Sequence, residues 1–195
     1  MEQGAKKSKA EELLGRILSE GRLAGVKSAA LLHLDGLASA SMLIDGEIYR
    51  GKDHSVRLER LTLDYALGER GTIAWLCGDF ALERALRKEL LELPRASLLF
   101  SRADGELSNA TAGLVYDCAA ICDPDALRIF DGYARTVALA LMSLIHLYDP
   151  ERILIAGRAA RMGERFTAPI EAVLRGKCFY GEYAAVELID EEALI

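Results

Sequence analysis

A small set of positions in this 195-residue chain stands out for chemistry: His33, His54 and His146, the cysteines at 77, 118, 122 and 178, and, for its backbone, the strand-end Gly157. Structural zinc wants four N or S ligands in a tight set, and the cysteines contain no CxxC pair. They read as free thiols, with Cys118 and Cys122 on one helical face and Cys77, after an apolar run, as a small core hydrophobe. His54 lies near Arg57 and Glu59 and is a candidate ligand, although a lone loop histidine is more often solvated. His146 falls near a helix C-terminus, where a cation is favoured, and His33 alternates with Leu32 and Leu34 as a sheet-face residue. Gly157 could receive an anion at the start of the next helix, with Arg158 in the way. Asp35-Gly36 has the chemistry of a hairpin turn.

The elements that must position these residues centre on Asp123 to Gly157. Asp123 can cap a helix and Pro124 suits its first turn. Leu127, Phe130, Ala134, Val137, Leu141, Leu144 and Tyr148 then recur at spacings of three and four until Asp149-Pro150 stops it. Ile153-Leu154-Ile155, ending in Ala156-Gly157, predicts a strand buried on both faces. Upstream, Ser8 and Glu11 make a capping box for a helix that carries Ala10, Leu13, Leu14, Ile17 and Leu18 on one stripe and ends at Gly21. Ala29 to Leu34, Ala38 to Ile44 and Glu47 to Arg50 predict three antiparallel strands, the last two joined by Asp45-Gly46.

The period-2 pattern from Val56 to Tyr65 slips at Glu59-Arg60, which predicts a bulge or bend. Asp79 is expected to cap a helix from Phe80 to Leu93 that Pro94 ends. Leu98 to Phe100 reads as a strand or a helix end, and Ala112 to Cys122 as another helix. After Gly157 come Arg158 to Gly163, a helical stretch interrupted or restarted near Pro169 and running to Arg175, and a strand around Ala185 to Ile189. Residues 1–7 carry no pattern and read as a disordered leader or an expression remnant. This order of elements predicts an α/β domain with a mixed sheet.

Composition excludes several classes. With 51% hydrophobic and 28% charged residues, the chain has the make-up of a soluble globular protein. A net charge of −6 lacks the electrostatic footprint of a chain that tracks phosphate backbones, so direct nucleic-acid binding is not expected. The longest apolar stretch, Val137 to Leu147, is broken by Ser143 and His146 and is too short to span a bilayer. The N-terminus has no signal-peptide core, and a cytoplasmic location is expected.

Leu32 to Gly51, LHLDGLASASMLIDGEIYRG, together with the central stretch, resembles the C-terminal lobe of the ROK family of bacterial sugar kinases and transcriptional repressors. The frame from Leu43 to Gly51 follows that family's hydrophobic, hydrophobic, Asp-Gly-x-hydrophobic-Tyr-Arg-Gly pattern. Asp125-Ala126, Tyr133, Asp149-Pro150-Glu151 and Ile153-Leu154-Ile155 match its later helix and strand. The resemblance implies an α/β fold, a ribonuclease H-like or actin-like ATPase lobe with a mixed sheet and packed helices, as one domain over residues 8–195.

The departures from that family bear on function. Its GTGxGGG turn, where backbone N–H groups approach ATP phosphates, is here Asp35-Gly36-Leu37-Ala38-Ser39-Ala40-Ser41, with a negative charge and added bulk. The place of its catalytic aspartate reads Ser8-Lys9-Ala10, a cation for a general base. Its AGExGH segment aligns with Ser55 to Arg60, without the zinc-ligating histidine. Its CxCGxxGCxE zinc loop aligns with Trp75 to Glu83, where Cys77 and Gly78 hold and Glu83 stands as a candidate sugar ligand. Glu83 also has a plainer reading, an ion pair with Arg87 one turn on. The adenosine turn is reduced to Ala156-Gly157-Arg158.

These departures predict a catalytically inactive lobe, not an enzyme, with no zinc and no Mg-ATP site. It would act in homodimerisation or as the effector part of a sugar-responsive regulator, its DNA-binding part lying elsewhere. The alternatives are half of an ATP-dependent sugar kinase that works with a separate first lobe, and a non-catalytic small-molecule sensor.

Overall fold

The computed structural model describes residues 7–52, 57–66, 69–177 and 184–194. The expected leader over residues 1–7 and the candidate ligand His54 therefore fall wholly or almost wholly outside the described residues.

Helix α1 (Lys9–Ser19) begins where Ser8 Oγ accepts the main-chain N–H of Glu11 at 3.1 Å, the first half of the expected capping box. Strands β1 (Ala29–His33), β2 (Ser39–Ile44) and β3 (Glu47–Ile48) follow as an antiparallel run. Asp45 and Gly46 take φ of 53° and 83° between β2 and β3, the double positive pair of a type I′ hairpin. β4 (Thr62–Ala66) and β5 (Glu69–Thr72) pair as a separate ribbon, and the expected bend at Glu59-Arg60 is a 3-10 turn over Leu58–Arg60.

A run of helices comes next: α2 (Ile73–Cys77), α3 (Asp79–Glu89), α4 (Leu98–Arg102), α5 (Ala112–Ala120) and α6 (Pro124–Tyr148). β6 (Arg152–Ala156), α7 (Glu164–Lys177) and β7 (Val186–Leu188) complete the order. The principal sheet runs β3-β2-β1-β6-β7, with β6 parallel to β1 and β7 parallel to β6.

The central helix forms as its pattern requires. Asp123 accepts the Ala126 N–H at 2.9 Å, Pro124 occupies the first turn, and Asp149 ends the helix in the left-handed region. Phe130, Ala134, Val137, Leu141 and Leu144 on its seam are all buried. Phe130 and Tyr133 of α6 meet Tyr116 of α5 and Phe166 of α7 in an aromatic cluster with centroids 5.6 to 6.1 Å apart.

The sheet is covered on both faces, and the period of two sorts its side chains. Leu32, Leu34, Ile153 and Ile155 face the core shared with α2 to α7, while Leu31, Leu154, Ala29 and Ala156 face α1.

Several sequence expectations need correction. Gly78, not Asp79, is the N-cap of α3; Asp79 is its first helical residue, and its carboxylate turns inward. Leu98 to Phe100 belongs to a helix. α7 is continuous through Pro169, its sixth residue, and the packing of the helix on α6 offsets the main-chain hydrogen bond lost there. Cys118 and Cys122 do not share a helical face: α5 ends at Ala120, and Cys122 lies beyond it with φ 63°.

Candidate functional site

β1 and β6 run parallel in a register that pairs His33 with Ala156, so the residues after both strands emerge side by side at one edge of the sheet. This is where ligands bind in open α/β sheets, outside the carboxyl ends of the strands. Leu34 N–H donates to Ala156 O at 3.0 Å, and Asp35 then lies against Gly157 and Arg158.

Gly157 has φ 100°, and a Cβ there would stand 3.0 Å from Leu34 N and 3.3 Å from Asp35 Oδ1. No other residue fits that crossing without strain. The expectation of a glycine at a strand end is thus met for a packing reason as well as a conformational one.

Asp35 is the electrostatic centre of this edge. Its Oδ1 accepts the Arg158 main-chain N–H at 3.4 Å, and its Oδ2 pairs with Lys9 Nζ at 3.3 Å and lies 3.9 Å from His33 Nε2. Burial alone would raise its carboxyl, but His33, Lys9 and the Arg158 N–H outweigh that and hold it below the usual carboxylate range. His33 is buried, as a sheet residue should be, yet its Nε2 also reaches Glu191 at 3.1 Å and its Nδ1 has no hydrogen-bond partner. Lys9, placed by α1, thereby meets a turn 26 residues away in sequence.

The Asp35 turn leans on the N-terminus of α3. Gly36 O accepts the Phe80 N–H at 3.1 Å, and the Ala38 N–H donates to Ala74 O at 3.0 Å. Asp79, just inside α3, is buried and accepts the Tyr116 hydroxyl at 2.7 Å. Its carboxyl is raised, first by desolvation and further by the charges of Asp35 and Glu83, against the lowering effects of Tyr116 and Arg158.

The Arg158 guanidinium sits 5.9 Å from the Tyr116 ring centroid. Arg158 therefore touches both halves of the cleft, with its main chain on Asp35 and its side chain toward Asp79.

Glu83 lies one turn beyond Asp79. One oxygen accepts the Ala112 N–H at 3.4 Å, and the other is 3.8 Å from Arg87, the predicted i,i+4 pair. It remains partly exposed at the rim. Asp79, Tyr116 and Arg158 are the residues that sequence reasoning missed; the usable signal for Asp79 was a carboxylate next to Gly78, which could be taken equally well for a cap.

Beyond the turn, a polar groove of about 410 Å³ is lined by Arg16, Asp35, Gly157, Arg158, Arg161 and the acidic residues Asp190 to Glu192. Cys77 is fully buried and its thiol is pushed well up by desolvation, as for a small core hydrophobe. Cys77, Cys118 and Cys122 are free thiols. Among the described residues, no group of three or more His, Cys, Asp and Glu side chains is placed to hold a metal ion. No described helix is long and apolar enough to cross a membrane.

A mixed sheet with helices packed on both faces and a charged cleft at the carboxyl ends of its parallel strands defines an α/β lobe with the actin-like ATPase fold. Its particular likeness is to the ROK family. The chain superimposes on a ROK family glucokinase from Streptomyces griseus, in complex with glucose and AMPPNP, with TM-score 0.80 at 21% identity, over 93% of this chain and 62% of that one. A ROK family transcriptional regulator, a homologue of the E. coli Mlc protein, matches with TM-score 0.74 at 18% identity over 92% of this chain and 47% of that one. A curated glucokinase from Thermotoga maritima is 31% identical over 103 residues, 53% of this chain and 32% of that protein. No protein-family model matches the chain. The chain spans less than two thirds of the length of each of these relatives.

One expectation is overturned by these likenesses. The chain was expected not to be an enzyme, yet its curated relative is a glucokinase and its structural relatives include a ROK family glucokinase and a ROK hexokinase from Thermus thermophilus.

Proposed function

We propose that this chain is the second lobe of a ROK-type sugar kinase, completed by a first lobe. The convergence of Asp35, Arg158, Asp79 and Glu83 at the carboxyl ends of β1 and β6 carries this reading, because it sets carboxylates suited to sugar hydroxyls beside a turn and a guanidinium suited to phosphates. In this reading Glu83 accepts a hydrogen bond from a sugar hydroxyl at the rim. Asp79, held by Tyr116, keeps Arg158 oriented across the cleft, and the Asp35 turn with Gly157 faces the nucleotide phosphates.

Thermal denaturation with a panel of hexoses and amino sugars, and separately with Mg-ATP, tests it, since any ligand of the native state raises the melting temperature. Sugar and nucleotide shifts together, with phosphoryl transfer when a first lobe is supplied, are the expected result; no shift with either ligand refutes the reading.

One observation favours a second reading, in which the chain is the homodimeric effector part of a sugar-responsive regulator. The Asp35 carboxylate already takes up the cations of the turn. A hexose shift without a nucleotide shift, together with dimeric mass in sedimentation, would support this second reading over the first.

A further inference from the structure

The Asp35 carboxylate stands where an incoming anion would be received. Oδ1 accepts the Arg158 N–H at 3.4 Å and lies 3.3 Å from the point where a Cβ on Gly157 would project. Oδ2 meets Lys9 at 3.3 Å and faces His33 at 3.9 Å. The side chain is 37% exposed and borders the groove, where Arg16, Arg158 and Arg161 face Asp190, Glu191 and Glu192. Its hold is loose, because Lys9 is itself 67% exposed and an ion pair so open to water is weak. Rotating Asp35 outward would leave Lys9, the Arg158 N–H and the imidazole around the space it vacates.

We propose that Asp35 is a tethered anion that competes with a ligand's phosphate group for this turn, so that phosphate enters as the Asp35 side chain swings out. The inference rests on the reading that the cleft receives a phosphate-bearing ligand, and it adds how that entry is regulated. A carboxylate fixed within a few ångströms of an entering polyanion repels it, and removing one negative charge at that range strengthens anion binding by about tenfold or more. Lys9 is the countercharge that Asp35 holds in the resting state, and the phosphate would take it over.

Isothermal titration of the whole chain with inorganic tripolyphosphate at low ionic strength is the direct test, comparing the unaltered protein with Asp35→Asn and Asp35→Ser. Both variants should bind at least about tenfold more tightly. Lys9→Gln should weaken binding in the Asp35→Asn background while changing little in the unaltered protein, where Asp35 already occupies the lysine. Two small polar substitutions guard against one that fails to fold, and circular dichroism confirms the fold of each.

Equal affinity across all three proteins, or no binding by any of them, overturns the tethered anion. A hexose panel run alongside separates this from failure of the kinase reading. Hexose shifts without any tripolyphosphate binding sink the tethered anion and leave the sugar site standing. Gain of tripolyphosphate binding on replacing Asp35, without hexose shifts, upholds the tethered anion and counts against the sugar site.

Discussion

The carbonyl oxygen of Gly36 lies so close to Gly78 that a Cβ on Gly78 would stand 2.1 Å from it. The N-cap of α3 and the Asp35 turn are thus in backbone contact, and the atom in the way is main chain that cannot rotate aside. Gly78→Ala should cost at least the 1–3 kcal/mol or so typical of overpacking. Gly46→Ala, where φ is 83° but nothing lies within 4 Å, should cost only the left-handed penalty of about 1–2 kcal/mol. Urea unfolding of the two variants checks the order.

Asp35 should make stability fall with acid. Its carboxyl is held below the ordinary value of 3.8, so the native state binds its proton less readily than the unfolded chain. The contribution is present above pH 3.8 and is lost as pH falls through the depressed native value. Asp35→Asn should therefore be less stable than the unaltered protein at pH 7, with the gap closing below the ordinary carboxylate range. Urea midpoints at a series of pH values measure it.

Asp79 should behave with the opposite sign. Its carboxyl is raised by desolvation, so ionising it in the native state opposes folding above the ordinary carboxylate range, and that cost vanishes once pH falls below it. Asp79→Asn keeps an acceptor for the Tyr116 hydroxyl and should raise the melting temperature at pH 7. Tyr116→Phe removes the donor at 2.7 Å and should cost about 1–3 kcal/mol, less in the Asp79→Asn background. A double-mutant cycle followed by thermal melts separates the two effects.

The seam of α6 should carry global stability. Leu141 is 1% exposed and Leu147 is 60% exposed on the same helix. Leu141→Ala should cost about 2–5 kcal/mol, and Leu141→Asp should prevent folding. Leu147→Ala should stay within about 0.5 kcal/mol of the unaltered protein. Far-ultraviolet circular dichroism during urea titration distinguishes them.

Much of the fold was legible because it is written in local chemistry. The Ser8 and Asp123 caps, the Asp45-Gly46 hairpin and the three-four spacing from Leu127 to Leu144 each act within a few residues, and all appear as read. The family likeness could be read for the same reason, since the matching residues are mostly those that shape the hairpin, the long helix and the buried strand. The role of Asp79 was not legible, because a carboxylate beside a glycine at a helix start caps in one setting and turns inward in another, and only a tyrosine on α5 decides which.

The sequence by itself determined the capped helices, the hairpin, the buried strand, the glycine that ends β6 and the charge that stands in the turn. Tertiary structure alone decided that Lys9, His33, Asp35 and Arg158 meet. The parallel register of β1 and β6 sets His33 beside Ala156, although more than a hundred residues separate them, and α1 then lays Lys9 across the edge. Long-range pairing of this kind is fixed by burial of both sheet faces at once, and no short window of sequence contains that constraint.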